Sequence, residues 1–201
     1  MPPFCPRQRH GKLSRGRDAV RLTGGEGKGR KLASPPPFVR PTSARTREVL
    51  FNILQSRIRE TSVLDLFAGS GLLGIEALAR GAADATFIEE KRPAVQVIQK
   101  NLKSCGFEER GRVIQAEVFQ WLKRQSQQEG RYELIFADPP YNYPELVELP
   151  SKVISSGLLT FQGEFILEVS SRLEIPTPAD ARLWKRKNLG DTTLLFFTYG
   201  D

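Results

Sequence analysis

The stretch Val63-Leu64-Asp65-Leu66-Phe67-Ala68-Gly69-Ser70-Gly71-Leu72-Leu73-Gly74 decides the fold. Val63–Phe67 has the length and apolar character of a buried strand, interrupted by one acid. It runs into a glycine-rich turn, and a helical pattern over residues 72–80 follows at once. Gly69 and Gly71 let the backbone pass close to a ligand, and the helix start favours an anionic group there. Gly69 to Gly74 fits the Gly-x-Gly-x-x-Gly spacing, so spacing alone does not separate a nicotinamide from another nucleoside. Asp65 separates them. A carboxylate at the mouth of the turn would repel a pyrophosphate, but it suits a ligand with a cationic amino group and a sulfonium. S-adenosylmethionine carries both.

Reading outward from this unit, strand-length runs recur at Ala85–Glu89, Arg112–Ala116 and Leu134–Ala137. Helical patterns lie at 92–104, 118–126 and 144–156. Such alternation means a parallel sheet covered on both faces. The end of the chain differs: Glu164–Val169, Ala181–Arg186 and Thr192–Tyr199 are strand-like, with no full helix between the last two. These two are expected to form an antiparallel edge. The whole is a doubly wound α/β sheet of about seven strands.

Upstream, Val20–Thr23 and Lys28–Leu32 flank Gly24-Gly25 and read as a basic hairpin. Ser34-Pro35-Pro36-Pro37 reads as a stiff linker. Val49, Leu50, Ile53, Leu54 and Ile58 form a helical stripe with Arg45, Arg47 and Arg57 interspersed, capped by Thr42 or Ser43. The expected division is a basic disordered tail at 1–17, an RNA-binding hairpin and helix at 18–60, and the catalytic body at 61–201.

Charge follows the same division. Of the 201 residues, the first 50 hold 12 Lys and Arg against 3 Asp and Glu, whereas the remainder hold 18 against 20. A polyanionic partner therefore belongs at the front. No apolar run approaches the ~18 residues of a membrane span. The N-terminus lacks the apolar stretch of a secretory signal, and Cys5 and Cys105 make no metal or redox spacing, so a cytoplasmic setting is expected. His10, in the basic tail, is the single histidine. This argues against Ser-His-Asp or Cys-His hydrolysis and against a His-ligated zinc, and no metal is expected.

Three further acids stand at strand ends. Glu89 can grip the two hydroxyls of a ribose. Glu117 can accept an adenine amino group or cap the following helix, and spacing leaves both open. Asp138 opens Asp138-Pro139-Pro140-Tyr141, a rigid turn at the carboxyl end of the fourth strand. Its carboxylate and the Pro139 carbonyl can accept hydrogen bonds from an exocyclic amino group, and Tyr141 offers a stacking face for a base. Loss of a proton relieves the charge on the methylated nitrogen, so no histidine is needed.

These motifs resemble the amino-group methyltransferases. Leu22-Thr23-Gly24-Gly25, Gly29-Arg30-Lys31-Leu32, Arg40-Pro41-Thr42 and Arg45-Thr46-Arg47-Glu48-Val49-Leu50-Phe51-Asn52 narrow the likeness to the bacterial ribosomal RNA small-subunit methyltransferase D family, as does Asn188-Leu189-Gly190-Asp191-Thr192. The resemblance implies a Rossmann-like class I S-adenosylmethionine-dependent fold and methylation of a guanine N(2) in 16S ribosomal RNA. It implies a cofactor site of Asp65, Phe67, Gly69, Gly71, Glu89 and Glu117, and a catalytic turn of Asp138, Pro139, Pro140 and Tyr141. Arg30, Lys31, Arg40, Thr42 and Arg45 are the residues expected on RNA, with 16S rRNA or the small ribosomal subunit as partner and a monomeric chain. Glu117 departs from a position where Asp or Asn is commoner, and Glu90-Lys91 from a pair that usually includes one of them. A DNA adenine methyltransferase shares the Asp-Pro-Pro-Tyr turn but normally carries a sizeable target-recognition region, for which no segment here is long enough. A nicotinamide oxidoreductase conflicts with Asp65, and a non-catalytic RNA-binding module leaves the proline turn without a purpose.

Overall fold

The computed structural model describes residues 20–33, 43–125, 131–140 and 143–200. The expected tail at 1–17, the proline linker and Arg40, Thr42 and Tyr141 lie outside the described residues. Strands β1 (Val20–Arg21) and β2 (Lys31–Leu32) form the hairpin, shorter than expected because Gly25, Gly27 and Gly29 all turn through positive φ between them. Helix α1 (Ala44–Leu54) is capped by the Ser43 hydroxyl, which accepts from Thr46 N.

The chain then alternates β3 (Ser62–Leu66), α2 (Leu72–Ala79), β4 (Asp84–Glu89), α3 (Arg92–Cys105), β5 (Gly111–Gln115), α4 (Val118–Arg124), β6 (Tyr132–Ala137) and α5 (Leu149–Ser155). It closes with β7 (Leu159–Ser170), β8 (Ala181–Leu189) and β9 (Thr192–Tyr199). The seven strands lie in the order β5-β4-β3-β6-β7-β9-β8. All pairs are parallel except β7–β9 and β9–β8, so the antiparallel edge expected at the end is present and includes β7. This is a Rossmann-like sheet whose direction of winding reverses between β3 and β6. Such a switch point opens a crevice at the carboxyl ends of the strands.

Several boundaries differ from the sequence reading. β3 ends at Leu66, because Phe67 adopts the left-handed conformation (φ 58°) and turns the chain. The helix expected over 144–156 is a short 3-10 turn (Leu146–Glu148) followed by α5, since Pro150 fits only the first turn of a helix. The strand expected at Glu164–Val169 begins five residues earlier, at Leu159.

The sheet is covered on both faces. On one, α2 and α3 pack with α1 and the hairpin in a single apolar cluster that includes Leu22, Leu32, Phe51, Ile75, Phe87 and Phe136. Leu22 and Leu32 from the expected N-terminal segment thus share the core of the sheet. Phe51 meets Phe136 edge-on, at 5.9 Å between ring centroids, and fixes α1 across β6. On the other face Leu64, Leu66, Trp121, Leu149 and Phe165 unite β3, α4, α5 and β7.

Candidate functional site

The acids singled out from the sequence stand toward the carboxyl ends of β3, β4, β5 and β6, around the β3–β6 switch point. Side chains alternate along β3, so Val63 and Asp65 face α2 while Leu64 and Leu66 face the opposite layer. Asp65 is 2% exposed, and its Oδ2 accepts from Gly74 N at 2.9 Å, in the first turn of α2. No described Lys or Arg forms an ion pair with it. Burial pushes its carboxyl well above the ordinary range; the Gly74 amide opposes this, and the nearby charges of Asp138 and Glu89 add to it.

The glycine turn has the geometry its residues suggest. Gly69 and Gly71 both have positive φ, and Gly71 caps α2. A Cβ on Gly71 would lie 3.0 Å from Ile98. Gly74 serves a different purpose: a Cβ there would lie 2.3 Å from the Phe87 ring, so this glycine lets α2 settle onto β4. Glu89 is buried at the end of β4. Its Oε2 accepts from Gly69 N at 2.8 Å and its Oε1 from Lys91 N at 2.9 Å. The acid expected on a ribose therefore also staples the turn to the neighbouring strand, a role spacing did not reveal.

Glu117 caps α4, accepting from Phe119 N at 2.9 Å and Gln120 N at 2.8 Å. The Tyr143 hydroxyl donates to its Oε1. Burial raises the Glu117 carboxyl, but the bonds from Tyr143 and the helix amides outweigh it and leave it below its ordinary value. Burial and the adjacent Glu117 raise the Tyr143 phenol. Phe67 packs edge-on against Tyr143 (5.0 Å), and Phe119 stacks on its other side (5.5 Å). Sequence reasoning missed Tyr143 and Phe119. Tyr143 stands two residues beyond the Asp138–Tyr141 turn, in which the sequence places the stacking face on Tyr141.

Asp138 directly follows β6, next to β3, with Pro139 buried behind it and Pro140 exposed. The Pro140 carbonyl accepts from Tyr143 N at 3.0 Å and closes the turn. Beside Pro139 lies a cleft of about 340 Å³ that reaches Leu146, Glu168 and Arg172. The structure thus gathers Asp65, Gly69, Gly71, Glu89 and Asp138 at one end of three adjacent strands, with Phe67 and Glu117 on the flank. Arg30, Lys31 and Arg45 are exposed on the hairpin and on the first turn of α1. The other two arginines of the helical stripe are engaged: Arg47 pairs with buried Glu76, and Arg57 with Glu164. Among the described residues no group of His, Cys, Asp or Glu could hold a metal ion, and no helix is long and apolar enough to cross a membrane.

The chain is similar to known proteins along most of its length. Residues 20–198 match the family described as conserved hypothetical protein 95. The chain is 38% identical over 179 residues to ribosomal RNA small subunit methyltransferase D of Escherichia coli, covering 87% of each protein. A solved structure of a hypothetical protein from Thermus thermophilus is 31% identical, covers 88% of this chain and 98% of its own, and superposes with a TM-score of 0.76. The ribosomal protein L11 methylase of Lactobacillus delbrueckii, only 16% identical, shares the fold with a TM-score of 0.65, covering 83% of this chain and 84% of its own.

Proposed function

Because the chain belongs to the ribosomal RNA small subunit methyltransferase D family, we propose that it transfers a methyl group from S-adenosylmethionine to the exocyclic N(2) of a guanine in 16S ribosomal RNA. The observation that carries this reading is the convergence of Asp65, Glu89 and Asp138 around a left-handed glycine turn at the switch point. The donor set fits the cofactor: a buried carboxylate without a cation, an acid at the end of the next strand and a glycine turn open to close approach. Asp65 would hold the cationic amino end, Glu89 the ribose, and Phe67, Phe119 and Tyr143 with Glu117 the adenine. When bound, the cofactor supplies a methyl group made electrophilic by its sulfonium.

The protein's part is to place and polarise the amino group. Asp138 and the Pro139 carbonyl accept hydrogen bonds from the guanine N(2) hydrogens. They draw density toward a nitrogen whose lone pair is otherwise delocalised into the ring. The nitrogen would then be ready to accept the methyl group that the bound cofactor would supply. The contact with Asp138 strengthens as the nitrogen becomes positive, which is the condition for lowering the barrier. The surplus proton leaves afterwards. Tyr141 would offer a stacking face to a base taken out of its stack. Arg30, Lys31, Arg40, Thr42 and Arg45 would grip phosphates, and the front carries the positive excess this needs.

The test is nucleoside mass spectrometry of unmethylated 16S rRNA, free and in the small subunit, after incubation with labelled cofactor. The expected product is N(2)-methylguanosine. N(6)-methyladenosine instead, or no labelled nucleoside with either substrate, would overturn the reading.

A further inference from the structure

The cofactor turn is joined to the basic hairpin by one buried side chain. Asn101, on α3, is 1% exposed. Its Nδ2 donates to the carbonyl of Ser70, the middle residue of the glycine turn, at 3.0 Å, and to the carbonyl of Ala33 at 3.2 Å. Its Oδ1 accepts from Ala33 N at 2.7 Å. Ala33 directly follows β2, two residues after Lys31. One amide therefore holds the exit of the hairpin and the centre of the cofactor turn in fixed relation.

The rest of the hairpin is fastened to the two helices that bracket the same turn. Thr23 donates its N–H to Glu76 on α2 at 3.0 Å, and its hydroxyl as well. Glu26 N donates to the Ala79 carbonyl at 2.6 Å; a Cβ on Gly25 would lie 2.0 Å from that oxygen, so only glycine permits this approach. Arg30 Nη1 donates to the Ser104 carbonyl on α3 at 2.8 Å. The hairpin is thus seated on α2 and α3, and Asn101 reaches past it to Ser70.

We propose that Asn101 is a positioning residue that couples RNA binding on the hairpin to cofactor binding at the turn, so that each tightens the other. This rests on the functional reading above. Phosphates gripping Arg30 and Lys31 restrict β2 and Ala33, the residue that follows it. The Asn101 amide passes that restriction to Ser70, and the cofactor then meets a turn already ordered, at lower entropic cost. Reciprocity follows from linkage: the factor by which RNA tightens the cofactor is the factor by which the cofactor tightens RNA.

The experiment is equilibrium dialysis of labelled S-adenosylhomocysteine against the full chain, alone and with saturating 16S rRNA transcript at fixed salt. For the wild type the rRNA should tighten binding by about fivefold or more. Asn101→Asp keeps the acceptor for Ala33 N and loses the donation to Ser70; Asn101→Ala loses every contact. Both should bring the factor close to one, with rRNA affinity in the absence of S-adenosylhomocysteine nearly unchanged. A purely structural asparagine would lower the melting temperature and leave the factor alone. A wild-type factor of one, or a folded variant with the wild-type factor, overturns the coupling. If neither variant folds, hydrogen exchange on the wild type decides: rRNA added without cofactor should slow exchange of the Gly69 and Gly71 amides, and unchanged exchange overturns the proposal. A wild-type chain that binds neither ligand refutes the functional reading and the coupling with it; one that binds both independently refutes the coupling alone.

Discussion

Two buried carboxylates touch the helix that follows the cofactor turn, and the fold treats them in opposite ways. Glu76, in the middle of α2, is fully buried and surrounded by donors: Thr23 N and Arg80 Nη2 at 3.0 Å, and Arg47 Nε at 3.5 Å. Asp65, under the first turn of the same helix, has the Gly74 amide and two acids for neighbours. Glu76 is a joint. It locks the hairpin, α1 and α2 together, and every contact it makes is internal. Asp65 has no such set of donors: burial and the two nearby acids work against its ionised form, and only the Gly74 amide favours it.

The largest effect that separates the two is on stability. Glu76→Gln leaves Arg47 buried beside a neutral amide, and breaking such a pair should cost about 3–5 kcal/mol, read from urea denaturation midpoints. Asp65→Asn should cost none. An Asp65→Asn loss as large as that of Glu76→Gln would erase the distinction.

Next in size is cofactor affinity. Asp65→Asn removes a charge-assisted contact of about 1.5–3 kcal/mol, so S-adenosylhomocysteine should bind roughly ten- to a hundredfold more weakly by calorimetry. Glu89→Ala should weaken S-adenosylmethionine and S-adenosylhomocysteine equally, by roughly tenfold or more, because both carry the ribose. Unequal loss would remove Glu89 from the ribose.

The smallest effect is on pH dependence. The folded-state pKa of Asp65 lies above its unfolded value, so its contribution to stability is fully present below the ordinary carboxylate range. That contribution is lost as pH rises through the raised value. Asp65→Asn should flatten this part of a stability–pH profile measured without cofactor. Over the same window the affinity of the wild type for S-adenosylhomocysteine should rise with pH, since the ionised carboxylate holds the amino group. A profile identical in wild type and variant would mean that Asp65 titrates normally.

Most of the fold was legible because the strand and helix periods differ and each element kept its own. Asp65, Glu89 and Asp138 were legible because strand ends at a switch point all face one crevice, so a position along the chain fixes a position in space. What escaped depends on contacts between distant segments. Nothing local says that Phe67 turns left-handed, or that Glu89 holds Gly69. Glu76 is the one acid in Leu72-Leu73-Gly74-Ile75-Glu76-Ala77-Leu78-Ala79, and its burial shows only once the hairpin and α1 are packed on α2. Asn101 left no trace, because an asparagine on the polar-apolar border of a helix reads as solvated until the hairpin is seated over it.

In the mechanism proposed above, the carboxylate after β6 acts on the methyl-transfer step. Single-turnover transfer to 16S rRNA at saturating cofactor, comparing wild type with Asp138→Asn, tests it most directly. The substitution keeps the shape and removes the charge, so the rate should fall by about two to four orders of magnitude, with N(2)-methylguanosine still the product and cofactor affinity nearly unchanged. Transfer by Asp138→Asn at close to the wild-type rate would contradict the account.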